Sequence, residues 1–168
     1  SIEEIEKALI ECRPAVFALV HAETSTGVCQ PMDGIGELCR KYGSLLLLDT
    51  VTSLGGVPLF LDEWKVDLAY SCSQKGLSCP PGLGPFTMNE RAETKLNKRA
   101  DKVKNWYLDV SLLNKYWGSD RVYHHTAPVN MNFGMREALR LLVEEGLENS
   151  WKRHKDNAEF LWQGLEDM

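Results

Sequence analysis

Two uninterrupted apolar runs, Ala15-Val16-Phe17-Ala18-Leu19-Val20 and Leu45-Leu46-Leu47-Leu48, constrain this chain more than any other feature. Runs of this length without polar alternation read as strands buried on both faces, the signature of a parallel sheet. The segment between them has helical spacing. Asp33 stands where an N-cap would, Ile35, Leu38 and Cys39 share a face, and Gly43 suits the position after a helix end. Strand, helix and strand at this separation make a βαβ crossover.

The rest of the chain extends the pattern. Residues 1–13 read as an amphipathic helix opened by the capping box Ser1-x-x-Glu4, with Ile2, Ile5, Leu9 and Cys12 on one face and Pro14 closing it. Residues 21–30 read as a polar loop. Residue range 66–71 is a third strand, and the turn Cys79-Pro80-Pro81-Gly82 leads to a fourth at 83–88. Residues 89–104 are polar and helix-like, 106–117 aromatic-rich, 121–129 irregular, 129–145 helical up to Gly146, and 149–168 a long charged helix. The expected fold is α/β, a three-layer sandwich around a mainly parallel sheet.

Composition narrows the function classes. A length of 168 residues suits one domain with a real core. A net charge of −5 argues against a nucleic-acid partner, though not against a small phosphorylated ligand. No apolar stretch approaches the roughly 20 residues of a membrane span, and no secretory signal is visible. The five cysteines are odd in number and lack C-x-x-C spacing, so they read as reduced thiols in an intracellular setting, cytoplasmic or peroxisomal. Their spacing with the histidines matches no zinc template, and no metal is expected. The first residue is not Met and the last lie inside a helical pattern, so the sequence is expected to be a segment of a longer chain.

Ligands in parallel sheets bind at the carboxyl ends of the strands. That rule selects residues 21–27, 49–53 and 73–76. Asp49 follows four leucines directly. It reads either as a turn cap or as a fixed negative charge facing a ligand, for which a pyridinium nitrogen would be an apt partner. Lys75 sits among small uncharged neighbours, Ser71-Cys72-Ser73-Gln74 and Gly76-Leu77-Ser78. A surface lysine is the ordinary reading; a lysine isolated from other charge at a strand end is also suited to Schiff-base chemistry. The stretch His21-Ala22-Glu23-Thr24-Ser25-Thr26-Gly27 is either an ordinary turn or a hydrogen-bonding wall. In Tyr123-His124-His125-Thr126 adjacent side chains are expected to point to opposite sides, which disfavours joint metal ligation. Lys152-Arg153-His154-Lys155 reads as a solvated helix face.

Taken in order, several segments resemble the class V, fold type I aminotransferases, and among them the alanine–glyoxylate and serine–pyruvate group. They are His21-Ala22-Glu23-Thr24-Ser25-Thr26-Gly27, Leu48-Asp49-Thr50-Val51-Thr52-Ser53-Leu54-Gly55-Gly56, Ser71 through Gly82, Tyr123-His124-His125-Thr126-Ala127-Pro128 and Gly146-Leu147-Glu148-Asn149-Ser150-Trp151. The resemblance implies a pyridoxal 5'-phosphate (PLP) enzyme. Lys75 would hold the cofactor as a Schiff base and serve as catalytic base and acid, and Asp49 would pair with the pyridinium nitrogen. Val51 would pack on the ring, Thr24 would bond near its phenolic oxygen, and Gln74 would lie beside the phosphate. Tyr123 and Thr126 would reach the phosphate of the neighbouring subunit, which implies a homodimer with shared sites. Residues 1–145 would belong to the large PLP-binding domain and 146–168 would begin the helix leading into the small domain. The phosphate loop, the ring-stacking aromatic and the arginine for the substrate carboxylate would lie outside 1–168.

The implied reaction moves an amino group from alanine or serine to glyoxylate or pyruvate, with small amino acids and 2-oxo acids as substrates. The alternatives are a cysteine desulfurase-type relative and a non-catalytic PLP-fold module. Desulfurases usually place a His just before the lysine, where this chain has Gln74.

Overall fold

The computed structural model describes residues 1–168. It opens with α1 (Ile2–Cys12), where Ser1 and Glu4 form the expected capping box and Arg13 ends the helix in the left-handed region, just before Pro14. Strand β1 (Val16–Val20) follows, then a short hairpin of β2 (Ala22–Glu23) and β3 (Val28–Cys29). That hairpin lies inside the stretch expected to be loop.

Helix α2 (Ile35–Lys41) connects to β4 (Leu45–Asp49). Asp33 does not cap it: the N-cap is Gly34, in the left-handed region with φ 77°, and no side chain bonds the first turn. Next come β5 (Leu68–Tyr70) and β6 (Phe86–Met88), then α3 (Glu90–Asn97), α4 (Val110–Trp117), α5 (Val129–Glu145) and α6 (Leu147–Glu166). Helix α3 is capped by the Asn89 side chain and stops well short of residue 104. Helix α6 starts at Leu147, two residues earlier than its charge pattern suggested and directly after Gly146.

The sheet order is β1-β4-β5-β6, with β1, β4 and β5 parallel and β6 antiparallel. The architecture is therefore α/β with a mainly parallel sheet. One face is packed. Leu46 and Leu48 are fully buried against Leu9 of α1 and Ile35 and Cys39 of α2, with Met32, Val66 and Ala69 completing the cluster. Each buried leucine contributes about 1.5–3 kcal/mol. Burial pushes the Cys39 thiol up to about 11, so it behaves as a small core residue. All five cysteines are free, but only Cys39 and Cys79 are buried; Cys12 and Cys29 are exposed.

The opposite face is open. Val16 and Val20 on β1, Tyr70 on β5 and Phe86 on β6 are all exposed there. Strand β1 is thus an edge strand with one bare face, and not a strand buried on both sides. Its composition is that of a covered strand, yet Val16 and Val20 stand exposed on it. Helices α5 and α6 pack over the strand-end loops: Ser150 Oγ donates to Gly55 O at 2.8 Å, and the Trp151 and Phe60 rings meet edge to face at 6.0 Å.

One buried charge ties three elements together. Asp67, just before β5, is 1% exposed. Its carboxylate accepts from Leu46 N at 2.8 Å, Asn89 Nδ2 at 2.9 Å and Arg91 Nη1 at 2.5 Å. The second guanidinium nitrogen of Arg91 donates to Ser44 O at 2.7 Å. Removing one partner of such a pair leaves a buried charge uncompensated. Arg91→Met in the full-length protein is expected to cost about 3 kcal/mol by urea unfolding. Glu37→Ala, which opens the exposed pair with Lys65, is expected to cost less than about 1 kcal/mol.

Candidate active site

Because β1, β4 and β5 are parallel, the loops after Val20, Asp49 and Tyr70 leave from the same edge of the sheet. Backbone and hydroxyl bonds stitch them together. His21 N donates to Asp49 O at 3.0 Å, and Thr50 N and Oγ1 both donate to Tyr70 O, at 2.9 and 2.8 Å. Ser71 Oγ donates to Thr50 O at 2.9 Å, and Ser73 Oγ to Pro80 O at 2.7 Å. Loops that would otherwise be mobile are held against one another.

Asp49 is the last residue of β4 and half-buried. Its Oδ1 accepts from Val51 N at 2.8 Å, and its Oδ2 accepts from the Tyr70 hydroxyl at 2.6 Å. An ionised carboxylate has about four lone-pair sites, so each oxygen keeps one for a further donor. Val51 is half-buried beside it. Thr24 joins this group through a hydroxyl–hydroxyl bond to Thr52 at 2.7 Å.

Lys75 and Gln74 are exposed on the loop after β5, and Lys75 takes part in none of the chain's ion pairs. The next residue fixes that loop. A Cβ on Gly76 would stand 2.3 Å from Leu54 O and 3.0 Å from Gly56 N. A Cβ on Gly55, whose φ is 85°, would stand 3.0 Å from Gly76 O. Only two glycines facing each other let the lysine loop lie against the loop that follows Asp49.

The structure therefore bonds Val51 N to Asp49 and Thr24 to Thr52 on the same loop, and presses the lysine loop against that segment. Tyr123 and Thr126 bond each other, hydroxyl to hydroxyl, at 2.9 Å, and both are exposed. None of their hydrogen bonds reaches the 49–53 or 73–76 loops. His21 lines no polar wall. It is buried edge-on to Trp64 at 5.1 Å, its Nε2 lies 3.6 Å from Cys29 Sγ, and burial pushes its pKa down.

His124 and His125 do not diverge as expected. Their Nδ1 atoms are 2.9 Å apart, because residues 121–128 form an irregular segment in which strand alternation does not apply. His124 also stacks on Trp106 at 4.0 Å. On α6, Lys152, Arg153 and Lys155 form exposed ion pairs with Asp156, Glu145 and Glu159. His154, by contrast, is half-buried and bonds Ser150 O at 2.8 Å. Two residues of the site, Tyr70 and Thr52, carry no signal of their own in the sequence. Tyr70 shares a strand face with Leu68, but its place beside Asp49 depends on a register that only pairing reveals.

These donors fit PLP. A carboxylate with spare lone pairs suits a ring nitrogen, an amine without an ionic partner suits an aldehyde carbon, and paired hydroxyls suit a phenolic oxygen.

The family model for class-V aminotransferases matches residues 1–168. Alanine–glyoxylate aminotransferase of Oryctolagus cuniculus is 46% identical over 171 residues, covering all of this chain and 44% of that protein. The (S)-ureidoglycine–glyoxylate transaminase of Bacillus subtilis is 36% identical over 184 residues, covering 99% of this chain and 44% of that protein. The crystal structure of alanine–glyoxylate aminotransferase from Nostoc sp. superposes with a TM-score of 0.97 at 66% identity, over 99% of this chain and 44% of that one. The chain thus spans less than half the length of these relatives.

The glycine contact yields a direct test. Gly76→Ala in the full-length protein must displace the backbone of residues 54–56. The expected cost is about 1–3 kcal/mol in thermal or urea unfolding, together with weaker cofactor retention on gel filtration.

Proposed function

The chain belongs to the class-V aminotransferase family, and we propose that the protein is a PLP-dependent transaminase acting through Lys75. Its reaction moves an amino group from alanine or serine to glyoxylate or pyruvate. The observation that carries this reading is the doubly held Asp49 carboxylate next to a lysine loop packed too tightly for any side chain at position 76. Glyoxylate appears in the names of both the O. cuniculus and the B. subtilis relatives, which supports it as the acceptor.

Bound PLP supplies an electron-poor ring that accepts the electron pair left at the substrate Cα. Asp49 would pair with the ring nitrogen, Val51 would pack on one ring face, Thr24 would bond near the phenolic oxygen, and Gln74 would lie beside the phosphate. The Lys75 amine would hold the cofactor covalently through Nζ, and the same Nζ would serve as the base and acid that moves the proton of the substrate Cα. Gln74, in the position before the lysine, favours this chemistry over a desulfurase.

The protein is a homodimer in this reading. Tyr123 and Thr126 present paired, exposed hydroxyls suited to the phosphate of the neighbouring subunit. An apolar groove of about 690 Å³, lined in part by Leu54, Leu77, Trp117, Leu139 and Val143, offers surface for a subunit contact. Residues 1–145 form part of the large domain and 146–168 lead into the small one. No helix is long and apolar enough to cross a membrane.

Borohydride reduction of the full-length protein with PLP, followed by peptide mass mapping, tests the assignment. A pyridoxyl adduct on Lys75 is expected; an adduct on another residue, or none on folded protein, overturns it. Lys75→Ala is expected to lower turnover by about 10²–10⁴-fold while still binding PLP non-covalently. Light scattering should give the mass of two chains, and Tyr123→Phe should weaken PLP binding without altering that mass.

A further inference from the structure

Asp49 has a partner that the family assignment does not give a role. Tyr70 lies directly opposite it across the parallel pair β4–β5, in the register Asp49↔Tyr70. Opposed residues of neighbouring strands project from the same face, so the phenol and the carboxylate meet side by side. The 2.6 Å bond from the Tyr70 hydroxyl to Oδ2 is short, as expected for a neutral donor on an anionic acceptor.

We propose that Tyr70 is a positioning residue for the transamination: its hydroxyl holds the Asp49 carboxylate in place, aimed at the cofactor ring nitrogen. This rests on the reading of Asp49 as the partner of that nitrogen.

Three observations support it. First, the two donors on Asp49 come from different directions of the chain, Val51 N from the loop that follows and Tyr70 from the adjacent strand. Together they fix both the rotation and the tilt of the carboxylate plane. Second, the register Asp49↔Tyr70 places the phenol on the same sheet face as the carboxylate, so the bond is set by strand pairing. Third, the pairing is reciprocal: the bond to Asp49 raises the Tyr70 phenol above the ordinary tyrosine range, which keeps it a donor.

The Tyr70→Phe variant of the full-length protein removes the hydroxyl and keeps the ring. In the cofactor-free protein, an ultraviolet difference titration of wild type against Tyr70→Phe reads the Tyr70 phenol alone. It is expected to ionise above the ordinary tyrosine range, and Asp49→Asn is expected to bring it back down. In the loaded protein, Tyr70→Phe should bind PLP about tenfold more weakly and lose about tenfold in kcat at unchanged KM, as for one hydrogen bond to a charged group. A Tyr70 phenol indifferent to Asp49→Asn overturns the proposal. So does a Tyr70→Phe protein with wild-type PLP affinity and kcat whose Lys75 is still labelled by borohydride, an outcome that leaves the transaminase reading standing. Absence of a Lys75 adduct in wild type and variant alike removes the transaminase reading, and this proposal with it.

Discussion

The Asp67 carboxylate sets the register on which the site depends. Parallel strands with continuous apolar sequences slide easily, since Leu45 to Leu48 offer four similar side chains to any neighbour. Asp67 ends that freedom. Its backbone N donates to Leu46 O, and its side chain accepts from Leu46 N. One residue thus grips both polar groups of one leucine. A slip would bury the carboxylate away from these donors and from Arg91.

With Leu46 fixed beside Asp67, the geometry at the other end of the strands follows. Both chains run three residues further, to Asp49 and Tyr70, which become opposed. Strand β1 is in step as well, with Val20 opposite Asp49. The row Val20, Asp49, Tyr70 marks the carboxyl edge where ligands of parallel sheets bind. A buried charge at the amino end of β5 therefore decides which group meets the carboxylate at the carboxyl end.

The packed and open faces of the sheet show how far a residue pattern reaches. Leu45, Leu46 and Leu48 of β4 are buried and Leu47 is half-buried, although the four residues are identical in type. On β1 the same kind of run leaves Val16 and Val20 exposed. Apolar sequence records that a strand is to be covered, not which layer covers it. The hairpin at residues 22–29 was hidden for the opposite reason. Its strands are two residues each, too short to stand out from the polar residues between them.

The sequence by itself determined the strand–helix–strand order and the parallel sheet. It also marked the strand ends, with Asp49 and Lys75, as candidates, because a carboxylate after four leucines and a lysine among small uncharged residues stand out without a fold. It determined the Ser1–Glu4 cap too, since capping is a contact between residues three apart. Tertiary structure alone decided what these groups meet. The Tyr70–Asp49 bond spans 21 residues, Thr24–Thr52 spans 28, and Arg91 reaches Asp67 across 24. The fit of Gly76 against Leu54 is of the same kind. Local propensity carries no information on such pairs; strand register and loop packing create them. Asp33 and the histidine pair make the same point in reverse. There a local rule pointed one way, and the backbone at Gly34 and at residues 121–128 took a conformation in which the rule does not apply.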